Sequence, residues 1–315
     1  MILGDKMKKM IKKIAVGLSV LCCATALGSC SFFDKFLSSS SSSEYSSSIA
    51  EVPEIEELEM NLMSYNIRTI GDVGTYAWEN RKENMAAYLN SQDSAVICMQ
   101  EVTTMQFQYL SNAIEDKYTM IHYERQGPGS EGLAIAYDHT MYEVVEQRMF
   151  WLSETPDVMS LGWGASYYRI CVNVLFKHND TGAYLDVYNV HLDSEVEKAR
   201  VEGIKLILAK AEGRNYPIYM AGDFNDVIGS DCYEEIASEM VDCQLVAEET
   251  DSGTTWHNWG AIADDKDQNI DFCFVSEDIS PLTFKICRDK TADGLFYSDH
   301  YGIKTTVRMF VKEIK

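Results

Sequence analysis

The spacing of the apolar segments after position 53 most constrains how this chain can fold. Strand-like stretches, β-branched or aromatic with alternating polarity, recur near 58–66, 94–99, 118–123, 132–138, 142–151, 167–177, 183–190, 216–221, 269–275, 283–287 and 301–311. Helix-period segments are fewer and come in separated blocks, near 79–90, 103–114, 194–211 and 231–240. The third is the clearest, with Val196, Ala199, Ile204, Ile207 and Leu208 on one face and charges elsewhere. A doubly wound sheet would alternate strand and helix regularly; this order predicts two sheets packed face to face with helices outside. Residues 53–315 contain no second linker and no repeat at a solenoid period, so they are expected to form one large domain. His178-Asn179-Asp180-Thr181-Gly182 reads as a hairpin turn with glycine at the positive-φ position.

The chain before that domain has a different character. A Lys-rich start precedes an uncharged stretch from Ile14 to Leu27 and then Leu27-Gly28-Ser29-Cys30. That stretch is too short to span a bilayer as a helix, so residues 1–29 are read as a cleaved export signal. Its end resembles the lipobox of bacterial lipoproteins, in which the cysteine is lipidated and becomes the new N-terminus. Ala24-Thr25-Ala26 offers the alternative, an ordinary signal peptidase site and simple secretion. Unbroken serine runs at 38–43 and 46–48 cannot bury apolar area, so residues 30–52 are expected to be a flexible tether. The expected location is therefore the cell surface, with a membrane as partner through lipidated Cys30.

Charge limits what the exported part can bind. The whole chain has 27 Lys and Arg against 49 Asp and Glu, and five lysines and one aspartate lie before Cys30. The remainder, with 22 basic and 48 acidic residues, carries −26, which excludes a general grip on duplex nucleic acid or anionic lipid. Cys98, Cys171 and Cys273 lie inside apolar strand-like runs and are expected to be core thiols rather than disulfides. No C-x-x-C pair follows Cys30, so a zinc ribbon is unsupported.

Gly127, Gly129 and Gly132 fit G-x-G-x-x-G, but the pattern runs into a strand instead of opening a helix and is read as a loop. The polar residues at strand ends are more informative. Asn66, Glu101, Asp223 and Asn225 close apolar runs, Asp271 lies in Ile270-Asp271-Phe272, and Asp299-His300 precedes the final strand. Taken singly each is an ordinary turn residue. Together they suit a hard divalent cation, which takes carboxylate and amide oxygens such as those of Glu101 and Asn66. An Asp with Asn two residues on can deprotonate and orient a water, and a histidine backed by a carboxylate can hold a phosphate oxygen; His191 and His300 are the candidates. Walker A, H-E-x-x-H and G-x-S-x-G elements are absent.

Ser64-Tyr65-Asn66-Ile67-Arg68, Gln100-Glu101-Val102, Asn189-Val190-His191-Leu192-Asp193, Gly222-Asp223-Phe224-Asn225, Asn269-Ile270-Asp271-Phe272 and Ser298-Asp299-His300-Tyr301 occur in that order over 64–301. In this the chain resembles the endonuclease/exonuclease/phosphatase superfamily, the fold of deoxyribonuclease I. The resemblance implies a four-layer α/β/β/α sandwich with the site at the top of the sheets. It implies Mg2+ as cofactor, with Mn2+ as a substitute, held by Glu101 with Asn66 and Asp299. It implies that Asp223, beside Asn225, activates water and that His300, paired with Asp271, contacts the phosphate. His191 would act on the leaving oxygen, oriented by Glu131. Arg169 is a candidate phosphate contact or else a surface ion-pair partner, and Trp256 a candidate substrate platform, with Trp259 near it. Trp78 with Arg81 reads as structural. Where a closer subgroup has another histidine, Ser194 and Glu195 follow Asp193.

The expected function is Mg2+-dependent hydrolysis of a phosphate ester, a diester favoured, on a small molecule or a lipid or nucleotide head group. An extracellular nuclease gripping a short strand with Arg169 and Arg200 is the alternative. A non-catalytic surface binding lipoprotein is the alternative of another class.

Overall fold

The computed structural model describes residues 57–311; the export signal, Cys30 and the Ser-rich tether lie outside them. The chain runs β1 (Glu57–Asn66), α1 (Trp78–Ser91), β2 (Val96–Thr103), α2 (Thr104–Ala113), β3 (Tyr118–Glu124), β4 (Glu131–Asp138), β5 (Tyr142–Trp151), β6 (Ile170–His178) and β7 (Tyr184–His191). It continues through α3 (Glu197–Ala211), β8 (Ile218–Asp223), α4 (Asp231–Ala237), β9 (Val241–Asp242), α5 (Cys243–Val246), β10 (Glu249–Thr250), β11 (Asp271–Val275), β12 (Ile279–Cys287) and β13 (Gly302–Phe310). One sheet has seven strands in the order β10-β12-β13-β1-β2-β4-β3, the other six in the order β5-β6-β7-β8-β11-β9.

Side-chain alternation sorts each strand's apolar residues between two cores. Leu62, Val96 and Cys98 of one sheet share a buried cluster with Val172, Val187 and Ala221 of the other, which fastens sheet to sheet. Their strand neighbours Met63, Ile97 and Met99 point outward and pack with Met85 and Leu89 of α1 and Leu110 of α2. On the opposite outer face Val190, Met220 and Phe272 meet Ile204 and Ile207 of α3 and Ile236 of α4. Each fully buried aliphatic chain of this kind contributes about 1.5–3 kcal/mol. The result is the four-layer α/β/β/α sandwich expected.

The differences from expectation are local. β9 and β10 are two residues long, too short to show a period. β12 starts at Ile279, ahead of the expected 283, because Pro281 reads as a breaker and here sits at a register shift beside Thr283. The helix expected from 194 begins at Glu197 because Asp193 first holds a turn, its Oδ1 accepting from Glu195 N at 3.0 Å and Val196 N at 2.8 Å. The cysteines of the described residues are free thiols, all buried except half-buried Cys287.

One glycine sets the approach of the two strands that carry the site. A Cβ at Gly222 would lie 1.9 Å from the carbonyl oxygen of Val190 on β7, a backbone atom that cannot step aside. Gly222→Ala is expected to cost at least about 2 kcal/mol and to shift Asp223 next to it, read as a lower urea midpoint with reduced kcat.

Candidate active site

Sheet register gathers the polar strand ends. On the six-stranded sheet His191 lies opposite Asp223 in the parallel β7/β8 pair, and Asp223 opposite Asp271 in the antiparallel β8/β11 pair, so the three form one row. On the other sheet Asn66 is opposite Gln100 in the parallel β1/β2 pair. The next residue, Glu101, stands at a register shift between β2 and β4 with φ of 61°. A left-handed non-glycine residue at a bulge is strained, and such bulges re-aim a side chain at functional sites. Asp299 and His300 arrive on the segment before β13, which runs antiparallel to β1.

The Asn66 amide joins the two sheets. Its Nδ2 donates to Glu101 Oε1 at 3.2 Å and to Asp223 Oδ2 at 2.9 Å, while its Oδ1 accepts from Arg68 N at 3.0 Å. The same Asp223 oxygen lies 3.5 Å from His191 Nε2 and 3.7 Å from His300 Nε2. The other, Oδ1, accepts from Asn225 N at 2.9 Å, a contact made through the left-handed backbone of Asn225, φ 49°. Asn225 is therefore a brace for Asp223, and its side chain is tied to Leu192 O at 3.0 Å.

Charge states follow from burial and neighbours. Burial alone would lower the pKa of His300, but Asp271, whose Oδ2 is 2.9 Å from Nδ1, and then Asp223 and Asp299 outweigh it and hold it at about 10. His300 is thus a cation at neutral pH. Burial and then Asp271 push Asp223 up to about 7, against the pull of His300 and of the Asn66 hydrogen bond. His191 is pushed well below its ordinary range by burial and by Arg169, Arg125 and His300, which makes it a neutral imidazole.

These groups face a cavity of about 780 Å³ whose lining includes Glu101, Asp223, His191, His300, Asp299 and Trp256. The donors suit a hard cation. Glu101 Oε2 and Asp299 Oδ2 both turn toward Arg68 Nη1, at 3.8 and 3.7 Å, and Arg68 is itself held by Asp72 at 2.9 Å. Asp223 and Asp271 offer further carboxylate oxygens within 4.8 Å of one another, and Asp271 Oδ1 is buried without a hydrogen-bond partner. Carboxylate oxygens on both sides of the cavity fit Mg2+ or Mn2+.

Glu131, Arg169 and Trp256 line the cavity as anticipated, while Glu131 and Arg200 are engaged by other partners than expected. Glu131 ion-pairs with Arg125, and among the described residues no hydrogen bond joins it to His191. Arg200 is ion-paired with Asp226 at 2.7 Å and donates to the backbone carbonyl of Asp193 at 2.9 Å, so it forms no basic strip with Arg169, which is buried inside the cavity. Trp256 lines the cavity and donates from Nε1 to Asp299 Oδ2 at 3.4 Å, while Trp259 stacks on Tyr76 at 4.0 Å. Arg81 is structural: it donates to the carbonyls of Ile67, Arg68, Thr69, Tyr76 and Tyr297, fixing the loop after β1. Arg68, Arg125 and Tyr167 were not anticipated as site residues. Arg68 ends the Ser64-Tyr65-Asn66-Ile67-Arg68 motif, but nothing local marks Arg125 or Tyr167.

His257 adds an acid-sensitive element beside the site. Its ring lies 4.2 Å from Phe296 and 4.1 Å from Tyr301, Nδ1 accepts from Gly260 N at 3.1 Å, and burial lowers its pKa to about 4. Between pH 6.5 and 4 the unfolded chain binds this proton and the folded one does not. Stability is therefore complete above 6.5 and falls with pH toward 4, by up to about 3 kcal/mol from this residue. Urea unfolding of His257→Gln across that window should show a shallower slope; an unchanged slope would exclude the assignment.

A profile of the Endonuclease/Exonuclease/phosphatase family matches residues 63–300. The chain is similar to an endonuclease/exonuclease/phosphatase from Bacteroides vulgatus, 29% identical with a TM-score of 0.75 over 80% of this chain and 99% of that one. It is also similar to a mannosyl-6-phosphatase from Bacteroides thetaiotaomicron, 28% identical with a TM-score of 0.73 over 79% of this chain and 99% of that one. An uncharacterized protein, L388, of Acanthamoeba polyphaga mimivirus is 30% identical over 160 residues, 48% of this chain and 60% of the viral one. The chain spans about half to three fifths of the length of the curated relatives it matches. Because the profile runs from Met63 to His300, across every strand end that builds the cavity, the chain belongs to the endonuclease/exonuclease/phosphatase family.

Proposed function

We propose that the protein is a Mg2+-dependent phosphoesterase that hydrolyses a small phosphate ester by in-line attack of water. The observation that carries this is the Asn66 bridge, which sets carboxylates of two different sheets, Glu101 and Asp223, beside the two histidines. Glu101 and Asp299, with Asn66 between the sheets, would hold Mg2+, or Mn2+ in its place. When bound, that ion supplies positive charge to phosphate oxygens and acidifies water.

Asp223 takes the proton of the attacking water, and the Asn225 N–H and Asn66 amide fix its orientation. The charged His300, clamped by Asp271, donates to a non-bridging oxygen where negative charge gathers. His191, neutral, hydrogen-bonds on the leaving side. The water oxygen joins phosphorus, the ester P–O bond breaks with its electron pair going to the leaving oxygen, that oxygen takes a proton from solvent water, and Asp223 returns its proton to solvent, giving an alcohol and a phosphate product.

A small substrate is supported by the acidic chain, by the pairing of Arg200, and by likeness to a protein described as a mannosyl-6-phosphatase. In this reading the domain works outside the cell, anchored to a membrane by lipidated Cys30. Hydrolysis of p-nitrophenyl phosphate, bis-p-nitrophenyl phosphate, single-stranded DNA, RNA and sphingomyelin, each with Mg2+ and with EDTA, tests it. Chelator-sensitive turnover of the small esters above the nucleic acids is expected. Preference for nucleic acid would favour the nuclease, and silence on every substrate the binding lipoprotein.

A further inference from the structure

Two arginines of the cavity, buried Arg169 and half-buried Arg125, stand apart from the other cations among the described residues. Arg81 satisfies its donors with five carbonyl contacts. Arg169 is only 7% exposed, yet its Nε is buried without a partner, and among the described residues no acceptor or carboxylate bonds its guanidinium. Arg125 gives Nη2 to Glu131 but leaves Nη1 buried and unpartnered. Both guanidinium carbons stand over the ring of Tyr167, at 5.3 and 5.4 Å. That tyrosine is held by its backbone: Ser166 N and Tyr167 N donate to Asp193 Oδ2 at 2.9 and 3.0 Å.

A buried guanidinium without acceptors, next to a second one, is destabilised, and a ring face offsets only part of that cost. Burial and then Arg125 accordingly lower the pKa of Arg169. Glu131, Asp223 and Glu101 act on it as counter-charges without bonding it. Both arginines line the main cavity together with His191 and Glu131.

We infer that Arg169, with Arg125 beside it, receives a terminal oxygen of a phosphate monoester, so that the protein is a phosphomonoesterase whose preference over diesters is set by Arg169. This rests on the phosphoesterase reading above and reverses the leaning to a diester. A monoester phosphate carries close to two negative charges and three terminal oxygens, one more of each than a diester. That extra anionic oxygen suits an orphaned fork of N–H donors. A diester would present an alkoxy group instead, which returns no charge to the arginines.

The test compares kcat/KM of the full-length protein, Arg169→Gln and Arg169→Lys on p-nitrophenyl phosphate and methyl p-nitrophenyl phosphate with Mg2+. The rise in melting temperature caused by inorganic phosphate is measured alongside. Wild type should favour the monoester. Arg169→Gln should lose about 100-fold on the monoester, less than about fivefold on the diester, and most of the phosphate-induced shift, with partial recovery in Arg169→Lys. Should the Gln variant not fold, the Lys variant is read in the same way. A wild type that prefers the diester, or a variant that loses both esters equally, overturns the assignment and leaves the phosphoesterase standing. If wild type hydrolyses neither ester, the phosphoesterase reading fails, and the phosphate-induced shift decides the arginine site alone. Its loss in Arg169→Gln supports the site; equal shifts overturn it.

Discussion

Asp223→Asn is expected to lower kcat by about 10³- to 10⁴-fold with little change in KM, the size of effect seen when a positioned proton acceptor is lost. The reason is geometric. Asp223 Oδ2 receives Asn66 at 2.9 Å and faces both histidines, so no other carboxylate can take over the water's proton without rebuilding the row. The side chain is nearly isosteric, so the fold should survive. Its stability should even respond in the opposite sense to activity. A carboxyl whose pKa is raised to about 7 in the fold, from an ordinary 3.8, favours folding when protonated, and that contribution is lost as pH rises through 7. The Asn variant cannot ionise. In EDTA at pH 8 it should therefore unfold at a urea concentration no lower than wild type, while at pH 4 the advantage should vanish. An Asp223→Asn protein that keeps more than a tenth of wild-type kcat would remove Asp223 from the proton-accepting role.

Glu101→Gln is the second large effect. Glu101 stands at the β2 bulge with Oε2 accepting from Thr69 N at 3.0 Å and Oε1 from Asn66 at 3.2 Å, so a glutamine can keep one of the two contacts through its carbonyl oxygen and hold the loop. What it loses is charge. Removing a residue that merely supports a metal ligand costs about 10- to 100-fold in affinity, and loss of a charged ligand should exceed that. The Mg2+ concentration giving half-maximal turnover is expected to rise at least about 100-fold, with kcat partly restored at saturating Mg2+. An unchanged Mg2+ requirement would move the ion to the Asp223 and Asp271 carboxylates.

Much of this fold was legible because alternation is a strong signal where a strand is covered on both faces. Leu62 and Met63, or Val172 and Cys171, announce two cores by their neighbours alone. The site was legible for a related reason: polar residues at the ends of apolar runs are conspicuous, and register then brings His191, Asp223 and Asp271 into line. What stayed hidden depends on long-range contact. Glu131 could be placed near the site but not on Arg125, because that partner comes from the preceding strand's end. Arg200 looked available in sequence and is occupied by Asp226 in space. Arg169 looked like one more strand arginine; only its burial without an acceptor marks it out, and no local pattern records that. Pro281 concealed the start of β12 because a register shift absorbs it.

The most direct measurement is turnover of p-nitrophenyl phosphate esters by the full-length protein in isotopically labelled water, with Mg2+, with excess EDTA, and with Mg2+ restored. Metal-assisted attack of water on phosphorus should give turnover that disappears with EDTA, returns with Mg2+, and leaves the label in the phosphate product. Turnover that persists in EDTA, label recovered in p-nitrophenol, or no turnover of any ester with Mg2+ present would contradict it.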